Sequence, residues 1–150
     1  MLRLPTKGGG SQFMQTFLPY QSFAKSAVVL DRQRLGKQRV ECLQIFNALA
    51  NPDYGWQSHP AVTMWRGHAD ALYMYSVAII SEWVGRGYKD TCYDKITNVW
   101  RLLPSGTSPT WIDREDVYAS HRSNLLRKLP SYYCQFGWTE PDTMPYVWPK

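Results

Sequence analysis

Apolar positions recur at helical spacing along most of the chain, and no stretch keeps the strict alternation that a half-buried strand requires. Over residues 31–50, Leu35, Cys42, Leu43, Phe46 and Leu49 approximate a stripe. Asp31 stands where a side chain caps a helix start, and Asn51-Pro52-Asp53-Tyr54-Gly55 brings turn chemistry to the far end. A shorter helix is predicted over 21–29. Ser58-His59-Pro60 reopens helix, since proline lacks only an N–H that has no partner in a first turn. From Trp65 through Leu72, Tyr75, Ile79, Ile80 and Trp83 the pattern is long and apolar and marks a central buried helix stopped by Gly85 and Gly87. Another helix is expected over 89–103 with Val99, Leu102 and Leu103 inward. The last runs over 113–128, where Asp113, Glu115 and Asp116 at its start and Arg127 and Lys128 at its end suit the helix dipole. Residues 104–110 form a loop, and the aromatic, proline-rich tail after Pro130 is expected to hold little regular structure. The predicted class is all-α, with one helical domain over 14–150. Residues 1–13, with Gly8-Gly9-Gly10-Ser11, form a flexible extension or place the start upstream of the genuine one at Met14.

A length of 150 residues with 44% hydrophobic composition is enough for a core without disulfides or a structural metal. The longest apolar run, Ala71 to Ile80, falls short of the ~18 residues of a spanning helix, so no membrane association is expected. Cys42, Cys92 and Cys134 form no C-x-x-C pair, and none of His59, His68 and His121 has a His or Cys partner three or four residues away. No metal and no cofactor is therefore expected, and the cysteine usage fits a reducing cytoplasm. P-loop, dinucleotide, G-x-S-x-G and H-E-x-x-H motifs are absent from the sequence. A formal charge of +5 suits a polyanionic partner.

The helix at 31–50 carries the candidate chemistry. Arg34, Lys37, Gln38, Glu41 and Gln44 share one face by the three-and-four rule, flanked by Arg32 and Arg39. Two readings stand side by side. One is a solvated face with a Lys37–Glu41 pair; the other is a phosphate-binding surface around a working carboxylate, which the surrounding cations are expected to hold at low pKa. His59 is placed to cap the helix start at Pro60. His121 and Arg122, with Arg127 and Lys128 further along, face phosphates or satisfy a helix end. The rings after Leu129-Pro130-Ser131-Tyr132-Tyr133 either stack on unpaired bases or close the core.

Taken in order, these segments resemble the pyrimidine dimer DNA glycosylase family, the phage endonuclease V type and its bacterial relatives. The run Leu30-Asp31-Arg32-Gln33-Arg34-Leu35 followed by Glu41 is similar to the family's early L-A-D-Q-x-L…E helix. Ser58-His59-Pro60 looks like its N-H-P element and Arg86-Gly87-Tyr88 like its R-G-Y/F. Leu129-Pro130-Ser131-Tyr132-Tyr133 with Phe136-Gly137 is similar to its aromatic tail, and Met144-Pro145-Tyr146-Val147-Trp148-Pro149 to a bacterial and phage branch. Val40 and Gln44 stand where the family has arginines, and Cys134 where it has a lysine.

The resemblance implies an all-α, base-flipping repair enzyme. It is expected to be a hydrolase that cuts the glycosyl bond of a pyrimidine dimer and then, as an AP lyase and endonuclease, nicks the abasic strand. The nucleophile it implies is the terminal α-amine, on Met14 if the chain starts there, assisted by Glu41. The residues expected to contact DNA are Arg32, Gln33, Arg34, Lys37, Arg39, Gln44, His59, His121, Arg122, Arg127, Lys128, Tyr132 and Tyr133. The expected partner is damaged or modified double-stranded DNA, met by a monomer in the cytoplasm and on the nucleoid when bound. Three alternatives remain: a non-catalytic DNA-binding module, an enzyme on other modified bases using Glu41 with His59 or His121, and a helical interaction protein without nucleic acid.

Overall fold

The computed structural model describes residues 14–149, so the expected extension at 1–13 lies outside the described residues. Seven α-helices and no strand occur among them: α1 (Phe23–Val29), α2 (Arg32–Ala50), α3 (Pro60–Thr63), α4 (Ala69–Gly85), α5 (Tyr93–Trp100), α6 (Glu115–Lys128) and α7 (Pro130–Tyr133), with a 3-10 turn over Cys134–Phe136. The all-α class read from the pattern is the observed one.

Local chemistry sets the helix starts. The Ser22 hydroxyl accepts from the Lys25 N–H, the Asp31 carboxylate from that of Arg34, and His59 Nδ1 from that of Ala61 at 3.0 Å. Asp31 is also tied to the far end of the chain. Its own N–H donates to the Tyr133 hydroxyl, which donates back to the Asp31 carboxylate.

Three boundaries differ from the sequence reading. The apolar pattern from Trp65 is not one helix: residues 64–67 turn, Gly67 takes φ +82°, and α4 begins only at Ala69. Trp65 is fully buried all the same, because the turn folds its ring under α4. The helix expected over 89–103 is confined to α5, since Asp90 takes the N–H groups of Cys92 and Tyr93 at its start and a turn follows Trp100. Leu102, expected inward, is 79% exposed on that turn. The tail gains one short helix, α7, with Pro130 in its first turn.

The central helix α4 packs against α1, α2 and α5. Gly36 permits the close approach of α2, because a Cβ there would lie 2.7 Å from the Trp83 ring. Trp65 stacks on Tyr75 with Phe23 edge-on to both. The polar ends of these buried rings are satisfied, Trp65 Nε1 by Thr16 Oγ1 at 3.0 Å and the Tyr75 hydroxyl by the Phe17 carbonyl at 2.6 Å. No helix among the described residues is long and apolar enough to cross a membrane.

Candidate active site and nucleic-acid interface

Residues 14–19 run extended through the interior, buried throughout, without any sheet to pair with. A buried backbone must find partners, and here side chains from three helices supply them. The Gln15 N–H donates to Glu41 Oε2 at 3.1 Å, and the Gln15 carbonyl accepts from Gln38 Nε2 at 2.9 Å. The Phe17 N–H donates to Gln38 Oε1 at 2.8 Å, and the Leu18 N–H to His121 Nδ1 at 3.0 Å. The Pro19 carbonyl accepts from Arg122 Nη1 at 2.8 Å. The polar face of α2 is thereby divided. Gln38 and Glu41, three residues apart, turn inward to this segment, while Gln33, Arg34 and Lys37 stay at the rim of a cleft of about 210 Å³.

Glu41 lines that cleft with Gln15, Phe17 and Lys128. The expectation of a low carboxyl pKa is not met. Burial pushes Glu41 up to about 8, and the Lys37 charge, the Gln15 N–H and the Lys128 charge only partly oppose it. With 1% of its surface exposed, Glu41 loses more hydration than the rim cations return. Its Oε1 is enclosed and has no hydrogen-bond partner among the described residues. A carboxyl poised near neutrality both gives and takes a proton.

Gln15 and Lys128 also line a second, larger cleft of about 610 Å³, so the two cavities adjoin. Its walls are His59 and Pro60 on one side, Asn124, Arg127 and Lys128 from α6 on another, and the tail residues Pro145, Tyr146 and Trp148 on a third. Four side chains at successive turns of α6 hold the tail there. Ser120 Oγ accepts from the Val147 N–H, Ser123 Oγ accepts from the Met144 N–H, Asn124 Nδ2 donates to the Met144 carbonyl, and Arg127 Nη1 donates to the Asp142 carbonyl at 2.7 Å. The stacked rings of Tyr146 and Trp148 lie against His121, and Trp148 also meets His59 edge-on. Both histidines accept backbone N–H bonds through Nδ1, which fixes the Nε2–H tautomer, and burial lowers both pKa values, that of His121 to about 3. Burial also raises the Tyr146 hydroxyl. The cleft therefore presents neutral rings inside and cations at its rim. Trp56, edge-on to His59, sits at φ +73°, a strained setting for a bulky residue.

The predicted site residues separate into two sets. Glu41, Met14 beside Gln15, Gln33, Arg34, Lys37, His59, Arg127 and Lys128 gather at or next to the two clefts, with Arg32 exposed on the same first turn of α2. The others do not join them as free ligands. Arg39 pairs with Asp90 at 2.6 Å under the Trp83 ring. Arg122 is buried between Glu115 and Glu140, and His121 is spent on Leu18 and the tail rings. Tyr133 is fully buried on Asp31, Tyr132 packs on Tyr133 and Phe136, and Gln44 is half-buried. Gln15, Gln38, Asn124, Tyr146 and Trp148 were not expected as site residues. Their only sequence signals were the helical spacing of Gln38 to Glu41 and the Pro-flanked aromatics of the tail. Among the described residues no group of three or more His, Cys, Asp or Glu is placed to hold a metal.

A family model described as pyrimidine dimer DNA glycosylase matches residues 14–96, more than half of the chain and the part that includes Glu41, Gln38 and His59. No curated protein and no solved structure matches it.

Proposed function

The chain belongs to the pyrimidine dimer DNA glycosylase family, whose substrate is DNA and whose function is DNA repair, and we propose that it excises dimerised or related damaged pyrimidines and nicks the abasic product through an amine imine. The observation that carries this reading is the 3.1 Å bond from the Gln15 N–H to Glu41 Oε2. A chain beginning at Met14 has its α-amine one residue from that bond, and such an amine, with a pKa near ~8, holds an appreciable free-base fraction at neutral pH.

In this mechanism the amine attacks C1′ of the damaged nucleotide, the glycosyl bond breaks with its electron pair leaving on the base, and the surplus proton of the new C1′ amine passes to the departing base anion. Glu41 gives its proton to O4′ as the C1′–O4′ bond opens to the imine. The carboxylate then takes the C2′ proton, and the C3′–O bond breaks to release the 3′ phosphate. A pKa of about 8 suits both halves of this cycle. The larger cleft, with Tyr146, Trp148 and neutral His59, suits an unstacked base, and Arg34, Lys37, Arg127 and Lys128 suit the flanking phosphates. No metal or cofactor enters any step. The enzyme acts as a cytoplasmic monomer on duplex DNA.

Borohydride trapping on abasic-site and thymine-dimer duplexes, with chains starting at Met1 and at Met14, tests this. A covalent adduct mapped to the α-amine is the expected result; DNA binding without any adduct overturns it. A specific observation favours a second reading when residues precede Met14. The nitrogens at 14 and 15 are then peptide amides, and the cationic clefts remain as a non-catalytic DNA-binding surface.

A further inference from the structure

We propose that Gln38 is a positioning residue for catalysis, setting the register of residues 14–17 so that the amine end of the chain meets Glu41. The proposal rests on the amine reading above.

Gln38 is fully buried, and three of the four hydrogen-bonding positions of its amide are engaged. Nε2 donates to the Gln15 carbonyl at 2.9 Å, while Oε1 accepts from the Phe17 N–H at 2.8 Å and shares, at 3.0 Å, the single proton that the Tyr75 hydroxyl gives chiefly to the Phe17 carbonyl. One donor and one acceptor serving residues i and i+2 of an extended chain is what a neighbouring strand would offer. Here one side chain takes that place. The partners also fix the amide's orientation, because an N–H demands the oxygen and a carbonyl demands the NH₂.

Gln38 lies one helical turn before Glu41, so the two side chains reach the same segment together. Gln15 is consequently held at both backbone groups, its N–H by Glu41 and its carbonyl by Gln38. A slip of one residue would present the wrong backbone groups to both. Asparagine is one methylene too short to span them, and leucine offers neither group.

The segment has other anchors downstream. Tyr75 donates to the Phe17 carbonyl at 2.6 Å, His121 takes the Leu18 N–H, and Arg122 holds the Pro19 carbonyl. Loss of Gln38 therefore loosens the end at residues 14–15 while residues 17–19 stay threaded. That separates positioning from folding.

The test uses Gln38→Met and Gln38→Glu, in the full 150-residue chain and in the chain beginning at Met14, each beside its unsubstituted parent. Single-turnover adduct formation on an abasic duplex is read together with DNA affinity. Gln38→Met is expected to slow the adduct by about 10- to 100-fold, as an ångström-scale misplacement does, with affinity changed less than about twofold. Gln38→Glu keeps the acceptor for Phe17 and Tyr75 but sets a second oxygen against the Gln15 carbonyl. Its adduct rate is expected to recover toward the parent's as the pH is lowered and the new carboxyl regains a donor proton. An adduct formed by Gln38→Met at the parent's rate overturns the positioning role alone. So does a fall in rate and affinity together, in proportion to the folded fraction. Absence of an adduct from the unsubstituted chains overturns the amine reading and the positioning role with it.

Discussion

His121 accepts the backbone N–H of Leu18 through Nδ1 at 3.0 Å, across 103 residues of chain. The bond requires a neutral imidazole, and burial lowers the His121 pKa to about 3. A depressed folded-state value means that the stabilisation is present above the unfolded value of 6.5 and is lost as pH falls toward 3.

The histidine contribution to the thermal midpoint should therefore fall below pH 6.5, with His59 acting in the same direction, while protonated Glu41 opposes it down to about pH 4.5, so that the net decline steepens below that value. His121→Asn keeps an acceptor near the Nδ1 position and removes the titration. It should be less stable by about 1–3 kcal/mol at pH 7.5, from the smaller side chain, yet show a shallower acid slope. Midpoints recorded every half pH unit, with tail release followed by tryptophan fluorescence, decide this; equal slopes in the two proteins would remove His121 as the source.

Glu41→Gln should abolish strand nicking and leave duplex affinity within a few-fold. It should also stabilise the protein, with a definite sign. The Glu41 pKa is raised from 4.5 to about 8, so the native state holds a proton that the unfolded chain loses, and stability declines as pH rises through that window. The gain from glutamine should be small near pH 4.5 and reach about 2 kcal/mol or more above pH 8. Urea unfolding of both proteins at pH 5 and pH 8.5 reads it, and a pH-independent difference would refute the assignment of the shift.

The rim cations and the interior arginine should behave differently. Arg34→Ala, Lys37→Ala and Lys128→Ala should each weaken duplex binding and reduce the salt slope by about 0.9 for each phosphate no longer neutralised. Arg39→Ala should leave the slope unchanged and cost about 1–3 kcal/mol of stability, because Asp90 and the Trp83 face lose their partner. Binding isotherms at several salt concentrations, beside thermal midpoints, separate the two classes.

Trp148→Ala should reduce the preference for damaged over intact duplex by about tenfold, the scale of removing one base–aromatic stack, with little change in non-specific binding at low salt. Competition between thymine-dimer and intact duplexes measures this preference directly. An unchanged preference would place the unstacked base elsewhere than the larger cleft.

Secondary structure was legible wherever local chemistry decides it. The Asp31 cap, the His59-Pro60 start, the turn after Ala50 and the acidic-to-basic run of α6 all depend on residues within a turn or two of each other. So was the placing of Glu41 beside Arg34 and Lys37 on one helix face, through its spacing. Its ionisation was not legible, because spacing shows the neighbouring charges but not the hydration lost on burial. The same limit hid the fate of Arg39, Arg122 and Tyr133, whose partners lie 51, 18 and 102 residues away. The threading of residues 14–19 and the return of Tyr146 and Trp148 along α6 have no local period to announce them. Most helix spans, several of their caps and the basic surface follow from neighbours along the chain, whereas the turn at 64–67, the shortening of α5 and the short helix α7 do not. Which polar residues are buried, what they hold and the meeting of residues 14–19 with the segment at 145–148 beside the clefts are settled by packing, because burial and long-range hydrogen bonds exist only once the helices have come together.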